Sequence, residues 1–162
     1  MTIAVNSILD LVAARLKLIT TANGYNTEVK KVRRARLTPW KGYDLPAINY
    51  WSTGVKSRRN KYAGDERSIA LFIEYHYKTS DDPFIDIAGK LASDVVTALN
   101  RAVSAPKVSD APDLDLGETV SDLIFDGYDY EISEGQAPWC GALVKFTIKY
   151  NADINDMESF GA

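Results

Sequence analysis

The chain reads as an α+β protein: a single mostly antiparallel or mixed β-sheet with two helices packed on one face, in the order α-β-β-β-α-β-β. Three observations lead there. Two segments repeat apolar residues at steps of three and four, the mark of an amphipathic helix. Two others alternate apolar residues with a period of two, the mark of a strand with one face turned to a core. Short connections join most of the strand-like segments, which favours antiparallel or mixed pairing with helices gathered on one side. A length of 162 residues, 46% of them apolar and 25% charged, suits one ordinary domain. That domain is assigned to residues 1–150, and the acidic stretch 151–162 to a loose tail.

Residues 6–21 form the first predicted helix. Asn6 or Ser7 can cap it, Ile8, Leu9, Val12, Leu16 and Ile19 make the buried stripe, and Gly24 follows its end. Thr27 to Leu37 is β-compatible with Val29 and Val32 inward, and its Lys-Lys and Arg-Arg pairs require a solvated or partner-covered face. Pro39 and Gly42 mark a loop, and Pro46 to Trp51 is a second strand with the proline at its start. Residues 55–65 read as a basic, flexible hairpin connection.

Glu66 to Lys78 is the clearest strand: Ile69, Leu71, Ile73, Tyr75 and Tyr77 alternate with Ala70, Phe72, Glu74, His76 and Lys78. Both sets begin apolar, so its first half is expected to be covered on both faces. Asp82 and Pro83 open the second helix as cap and first residue. Phe84, Ile87, Ala88, Leu91, Val95, Leu99 and Ala102 form its stripe, Lys90, Asp94, Thr97 and Arg101 are assigned to the solvent side, and Pro106 ends it. Residues 105–118 read as an exposed acidic loop. Thr119 to Ser133 is either a hairpin turning at Asp126-Gly127 or one long strand with a bulge at Gly127, and the bulge is preferred. Residues 141–150 close the fold, with Ala142, Val144, Phe146, Ile148 and Tyr150 facing in.

Catalytic patterns are scarce. His76, the only histidine, could be paired with Glu74, two residues away on the same strand face, but no nucleophile motif accompanies it, so a structural role is expected. Cys140 reads as a buried, inert thiol; a single cysteine forms no internal disulfide and fits a reducing compartment. One histidine and one cysteine are too few ordinary ligands for a tetrahedral zinc site, so no metal and no cofactor are expected. Asp110, Asp113, Asp115 and Glu118 lack the ligand spacing of a calcium loop. No phosphate-cradling glycine loop, secretory signal or membrane-length apolar run is present. The expected protein is not an enzyme, and cytoplasmic synthesis is the default.

Charge is the feature that remains. Ten of the 19 Lys and Arg residues lie between Lys30 and Lys61, where Asp44 is the sole acid; the rest of the chain keeps 21 of the 22 acids. A net charge of −3 therefore conceals a dipolar chain, basic early and acidic late. Such a split suits contact with a surface of opposite sign, either a nucleic acid or a neighbouring copy of the same protein. A nucleic-acid site would set Arg33, Arg34, Arg36, Arg58 and Arg59 on phosphates, with Trp40, Tyr43, Trp51 or Tyr62 to stack bases. A pI near 5.2 weighs against it. A head-to-tail contact between unlike faces closes into a ring when the rotation permits. The third possibility is a merely solvated strand and loop.

Taken in order, several segments carry a family resemblance. The N-terminal helix runs into Asn23-Gly24-Tyr25-Asn26-Thr27-Glu28-Val29 and a basic strand. Leu45-Pro46-Ala47-Ile48, the strand Ile69–Tyr77, the helix near 83–104 and the Gly-Ala-Leu-Val-Lys-Phe-Thr-Ile-Lys-Tyr strand at 141–150 follow. Over about 150 residues this succession resembles the tail terminator (tail completion) proteins of long-tailed bacteriophages and prophages; related head–tail connector proteins are the neighbouring alternative. The resemblance implies a non-enzymatic virion protein at the tail–head junction. It would form a ring, usually of six subunits, that caps the tail tube, stops its polymerisation and joins the head. The implied partners are further copies of the chain, the tail tube protein and a head–tail connector protein, with DNA only passing through the ring and no membrane. Charge logic alone, without a family motif, nominates Arg33, Arg34, Arg36, Lys56, Arg58, Arg59 and Lys61 for one contact surface and Asp113, Asp115, Asp129 and Glu131 for the opposing one.

Overall fold

The computed structural model describes residues 4–60, 64–78, 83–105, 107–108, 113, 115–116, 119–133 and 139–152. Helix α1 spans Ala4–Leu16 and α2 Phe84–Leu99; the strands are β1 (Lys31–Arg34), β2 (Ala47–Ser52), β3 (Lys56–Asn60), β4 (Gly64–Lys78), β5 (Asp122–Ser133) and β6 (Trp139–Ala152). They form one six-stranded sheet in the order β1-β2-β4-β6-β5, with β3 attached to the start of β4. Only β1 and β2 run parallel; every other pair is antiparallel. The α+β class expected from sequence is the one observed.

The core forms where the two periodicities meet. Strand β4 turns Ile69, Leu71, Ile73 and Tyr75 inward, and β6 turns Ala142, Val144, Phe146, Ile148 and Tyr150 to the same side. Against them lie Ile8, Val12 and Leu16 of α1 and Leu91, Val95 and Leu99 of α2, all in one cluster. Each such side chain, fully buried, contributes about 1.5–3 kcal/mol. The closing strand falls as the sequence implies, and so do the helix stripes up to Leu16 and Leu99; α1 ends there rather than at residue 21, leaving Ile19 buried beyond it, and Ala102 lies past the end of α2. The preferred bulge is observed too: β5 is one continuous strand whose register slips between Phe125 and Gly127, where φ is 126°.

Several local expectations are corrected. The segment 55–65 contains a strand, β3, that pairs Lys56–Asn60 with Gly64–Ser68. Lys-Ser-Arg-Arg-Asn has no apolar alternation, because an edge strand can be held by backbone hydrogen bonds with both faces wet. The strand expected over 27–37 shrinks to Lys31–Arg34, the residues whose backbone aligns with Ala47–Tyr50. Asn6 and Ser7 lie inside α1 rather than at its cap, and Gly24, at φ 87°, closes a short 3-10 turn beyond it. Helix α2 begins one residue later than expected, with Pro83 at the cap position, and it ends at Leu99, well before Pro106. The outer residues of β4 are half-buried rather than covered, Phe72 lying against Trp51 at 5.7 Å between ring centroids. Strand β6 extends past residue 150 to Ala152, while Asp82, Pro106 and the tail from residue 153 lie outside the described residues.

Two polar residues assigned to the solvent side of α2 are in fact buried, Asp94 at 1% exposure and Arg101 at 6%. Asp94 accepts hydrogen bonds from the Asn26 amide (2.9 Å) and side chain (2.8 Å) and from the Thr27 amide (2.8 Å) and hydroxyl (2.6 Å). With its hydrogen directed to Asp94, the Thr27 hydroxyl accepts from Tyr75 Oη at 2.8 Å. One carboxylate thus joins α2, the turn leading to β1 and the centre of β4. On the other side of α2, Arg15 of α1 donates through Nη1 to the Leu99 carbonyl and through Nη2 to Asp113 Oδ2 at 3.0 Å. A guanidinium there satisfies a carbonyl left free at the helix C-terminus and complements the helix dipole. Replacing Asp94 by Ala strands the buried Thr27 amide and hydroxyl, while the Asn26 amide is only part-buried; at about 1–3 kcal/mol per unsatisfied group, Asp94→Ala is expected to lower unfolding free energy by about 2–3 kcal/mol in a urea titration.

Candidate functional site

The charged residues nominated from sequence occupy the two flanks of the sheet. Strands β2 and β3 both pair with the side of β4 that faces away from β6, and β1 lies outside β2. Arg33 and Arg34 in β1, Arg36 just beyond it, and Lys56, Arg58 and Arg59 in β3 therefore share one flank. Strand β5 forms the opposite edge; it carries Asp122, Asp126, Asp129 and Glu131 and no basic residue. Asp113 and Asp115 do not join that edge, and Lys61 lies outside the described residues. Asp113 is committed to Arg15, whose side chain is 3% exposed, and its Oδ1 accepts from the Asp115 amide at 3.2 Å. Both belong to the support of α2, a role that depends on a contact spanning 98 residues and leaves no local signal.

Within the basic flank the cations differ in availability. Arg34 points to the helix side, where Nη2 reaches Asp10 of α1 at 2.5 Å and the guanidinium lies 5.8 Å from the Tyr50 ring centre. Lys31 pairs with the buried Asp44. Arg36 stacks on Trp40 at 4.3 Å and donates to the Thr38 carbonyl at 2.8 Å, while Asn49 holds its backbone through both amide N–H and carbonyl. Arg33, Lys56 and Arg58 are exposed and make no ion pair among the described residues. The aromatics proposed to stack bases are largely engaged: Trp40 lies under Arg36, Trp51 against Phe72, and Tyr43 near Lys31 and Lys41. Tyr62 is outside the described residues.

Strand β5 offers more than charge. Its register places Phe125, Tyr128, Tyr130 and Ile132 on the helix-bearing face, opposite Phe146, Val144, Ala142 and Cys140 of β6. They remain 40–51% exposed. Tyr128 and Tyr130 pack edge to face at 5.5 Å. On the outer face Asp129 pairs with Lys145 at 2.5 Å, and Glu131 turns toward His76. Sequence reasoning missed this apolar row because the bulge shifts the alternation by one residue at Asp126, so no unbroken period-two signal spans the strand.

The outer face also carries a cleft of about 210 Å³ between the sheet and the loop after β1, lined by Arg36, Trp40, Asn49, Glu74, His76 and Trp139. Burial, with the nearby Glu131 carboxylate adding to it, raises the Glu74 pKa. Burial likewise raises that of Cys140, which is fully buried as expected from sequence and disfavoured as a thiolate. The chain matches no protein-family model and no curated protein. No described helix is long and apolar enough to cross a membrane.

Two carboxylates of the basic flank make the fold sensitive to acid. Asp44 is held below the usual carboxylate range chiefly by its hydrogen bond from Lys31, and Asp65 chiefly by that from Ser57, with Arg67 adding at 3.0 Å. The unfolded chain therefore takes up protons at these positions before the folded one does. Their contribution is complete above about pH 4 and is lost as pH falls through the depressed folded values. In thermal melts across that range, Asp44→Asn and Asp65→Asn are each expected to flatten the acid limb of the melting temperature, with little change in its slope near neutrality.

Proposed function

We propose that the chain is a non-enzymatic structural subunit that joins identical copies head to tail, the β5 edge of one meeting the β1/β3 flank of the next. The observation that carries this is the segregation of charge: an edge strand with four acids and no base lies across the sheet from the flank holding Arg33, Lys56, Arg58 and Arg59. Beside the acids, the exposed row of Phe125, Tyr128, Tyr130 and Ile132 supplies apolar area, which contributes more to association than rim charges do. Opposite charge then selects the partner and the register. Joining two different faces of one molecule generates a ring when the rotation closes.

Together with the succession of elements that resembles phage tail terminators, this supports a more specific assignment. The ring, of six subunits in that family, would cap a finished tail tube, stop its growth and present the surface to which the head joins, placing the protein at the tail–head junction of a virion. A related neck protein would use the same contact. The basic flank is less suited to nucleic acid, since Arg34 and Lys31 have intramolecular partners and Arg36 lies on Trp40.

Light scattering over rising concentration should show closed oligomers whose formation weakens as salt is added, because the exposed pairs that select the contact are screened. Reversing Arg58 and Arg59 to Glu is expected to shift the midpoint of assembly at least about tenfold to higher concentration, or about 1.4 kcal/mol. A second reversal, Asp126 and Asp129 to Lys in the same chain, should recover part of it. A protein that stays monomeric at all concentrations and does not bind tube ends in particle images overturns the proposal; tight, salt-sensitive DNA binding by the monomer would favour the nucleic-acid role instead.

A further inference from the structure

We propose that Glu74, His76 and Glu131 form a binding site for a divalent first-row transition metal of the Zn²⁺ class, on the sheet face opposite the helices. The site shares Glu131 with the β5 edge but lies on the open sheet face and takes a different kind of ligand, and it does not rest on the assembly proposal. His76 of β4 and Glu131 of β5 are both in register with Gly141 of β6, the strand that separates them. Across an ordinary sheet the residue between them would interpose its own side chain. A Cβ at Gly141 would stand 2.5 Å from the Tyr75 carbonyl oxygen and 2.9 Å from His76 Cδ2. Glycine leaves that place open, the imidazole crosses over β6, and its Nε2 comes within 3.1 Å of Glu131 Oε2.

Glu74 completes the group from the same face of β4, two residues before His76. One donor atom from each of the three side chains lies within 4.8 Å of the other two. Donors bound about 2.0–2.2 Å from one metal stand about 3–4 Å apart, so small rotations of the two glutamates suffice to close on a shared ion. The ring is already held, stacked on Trp139 with centroids 4.1 Å apart and planes 30° from parallel. Two carboxylates match the charge of a divalent cation, and one imidazole nitrogen shifts preference from Mg²⁺ and Ca²⁺, which favour oxygen ligands, toward Zn²⁺ and its neighbours. Three protein ligands leave coordination positions open. Glu74 and His76 also line the cleft with Arg36 and Trp40, so water or an oxygen of a further ligand can reach a metal held there.

The test is zinc titration of the full, untagged chain by calorimetry, with the ring signals of its only histidine followed by NMR. One Zn²⁺ should bind per chain in the micromolar range or tighter, with a shift of the His76 ring nitrogens that identifies Nε2 as the ligand, and excess Mg²⁺ should not compete. His76→Gln and Glu131→Gln should each weaken binding at least about tenfold, while circular dichroism confirms that the variants fold. Glu131 stands on an edge strand at 25% side-chain exposure, so its amide variant keeps the test usable if His76→Gln does not fold. Absence of saturable one-to-one binding, zinc binding that leaves the histidine signals in place, or unchanged affinity in a folded variant overturns the site.

Discussion

A sheet covered on one face only is the constraint from which the rest of this molecule follows. The inward rows of β4 and β6 supply a single apolar layer, and α1 and α2 provide the matching layer on that side. No described helix or strand packs across the other face, and α2 leaves the apolar row of β5 half-exposed. Three surfaces are therefore left to be used: two unlike flanks and an open face. Each carries side chains that an ordinary solvated surface does not require, whether a row of half-exposed aromatics, an excess of one charge, or a histidine set between carboxylates.

Buried polar anchors position those surfaces. The Asp94 carboxylate fixes Asn26 and Thr27, and so the direction in which the chain enters β1. Asn49 of β2 binds the backbone of Arg36 on the way out. Between these two fastenings β1 is only four residues long, yet its arginines have a defined place at the flank. On the far side of α2, Arg15 ties the helix end to Asp113. Such groups are costly to bury and costly to strip of a partner, which makes them effective at selecting one arrangement among compact alternatives.

The charge pattern gains its meaning from this scaffold. Summed over the chain it is nearly balanced, and several of the basic residues are already neutralised: Lys31 by Asp44, Arg34 by Asp10 and Arg67 by Asp65. Of what remains, Arg33, Lys56 and Arg58 lie on the β1/β3 flank and the acids of β5 on the other, where Asp129 is already paired with Lys145. Exposed ion pairs are individually weak, about 0–1 kcal/mol, so a contact built on them alone would be loose and salt-sensitive. The apolar row on β5 is what would give it strength, with charge deciding which surface it meets.

Composition and periodicity by themselves determined the class of this fold, most of both helix stripes, the inward residues of β4 and β6 and the dipolar distribution of charge, and they favoured the bulge at Gly127 over a hairpin turn. These are legible because each is a local property: a side chain's direction follows from the geometry of its own element. Tertiary structure alone decided that Lys56–Asn60 is a strand, that Asp94 and Arg101 lie inside, that Asp113 belongs to Arg15, and that His76 meets Glu131 over Gly141. Except for β3, which folds back on its own neighbour with no apolar alternation to announce it, those facts depend on which segments become neighbours across tens of residues. That choice is made by the free energy of the whole assembled core and sheet register, which no single window of sequence contains.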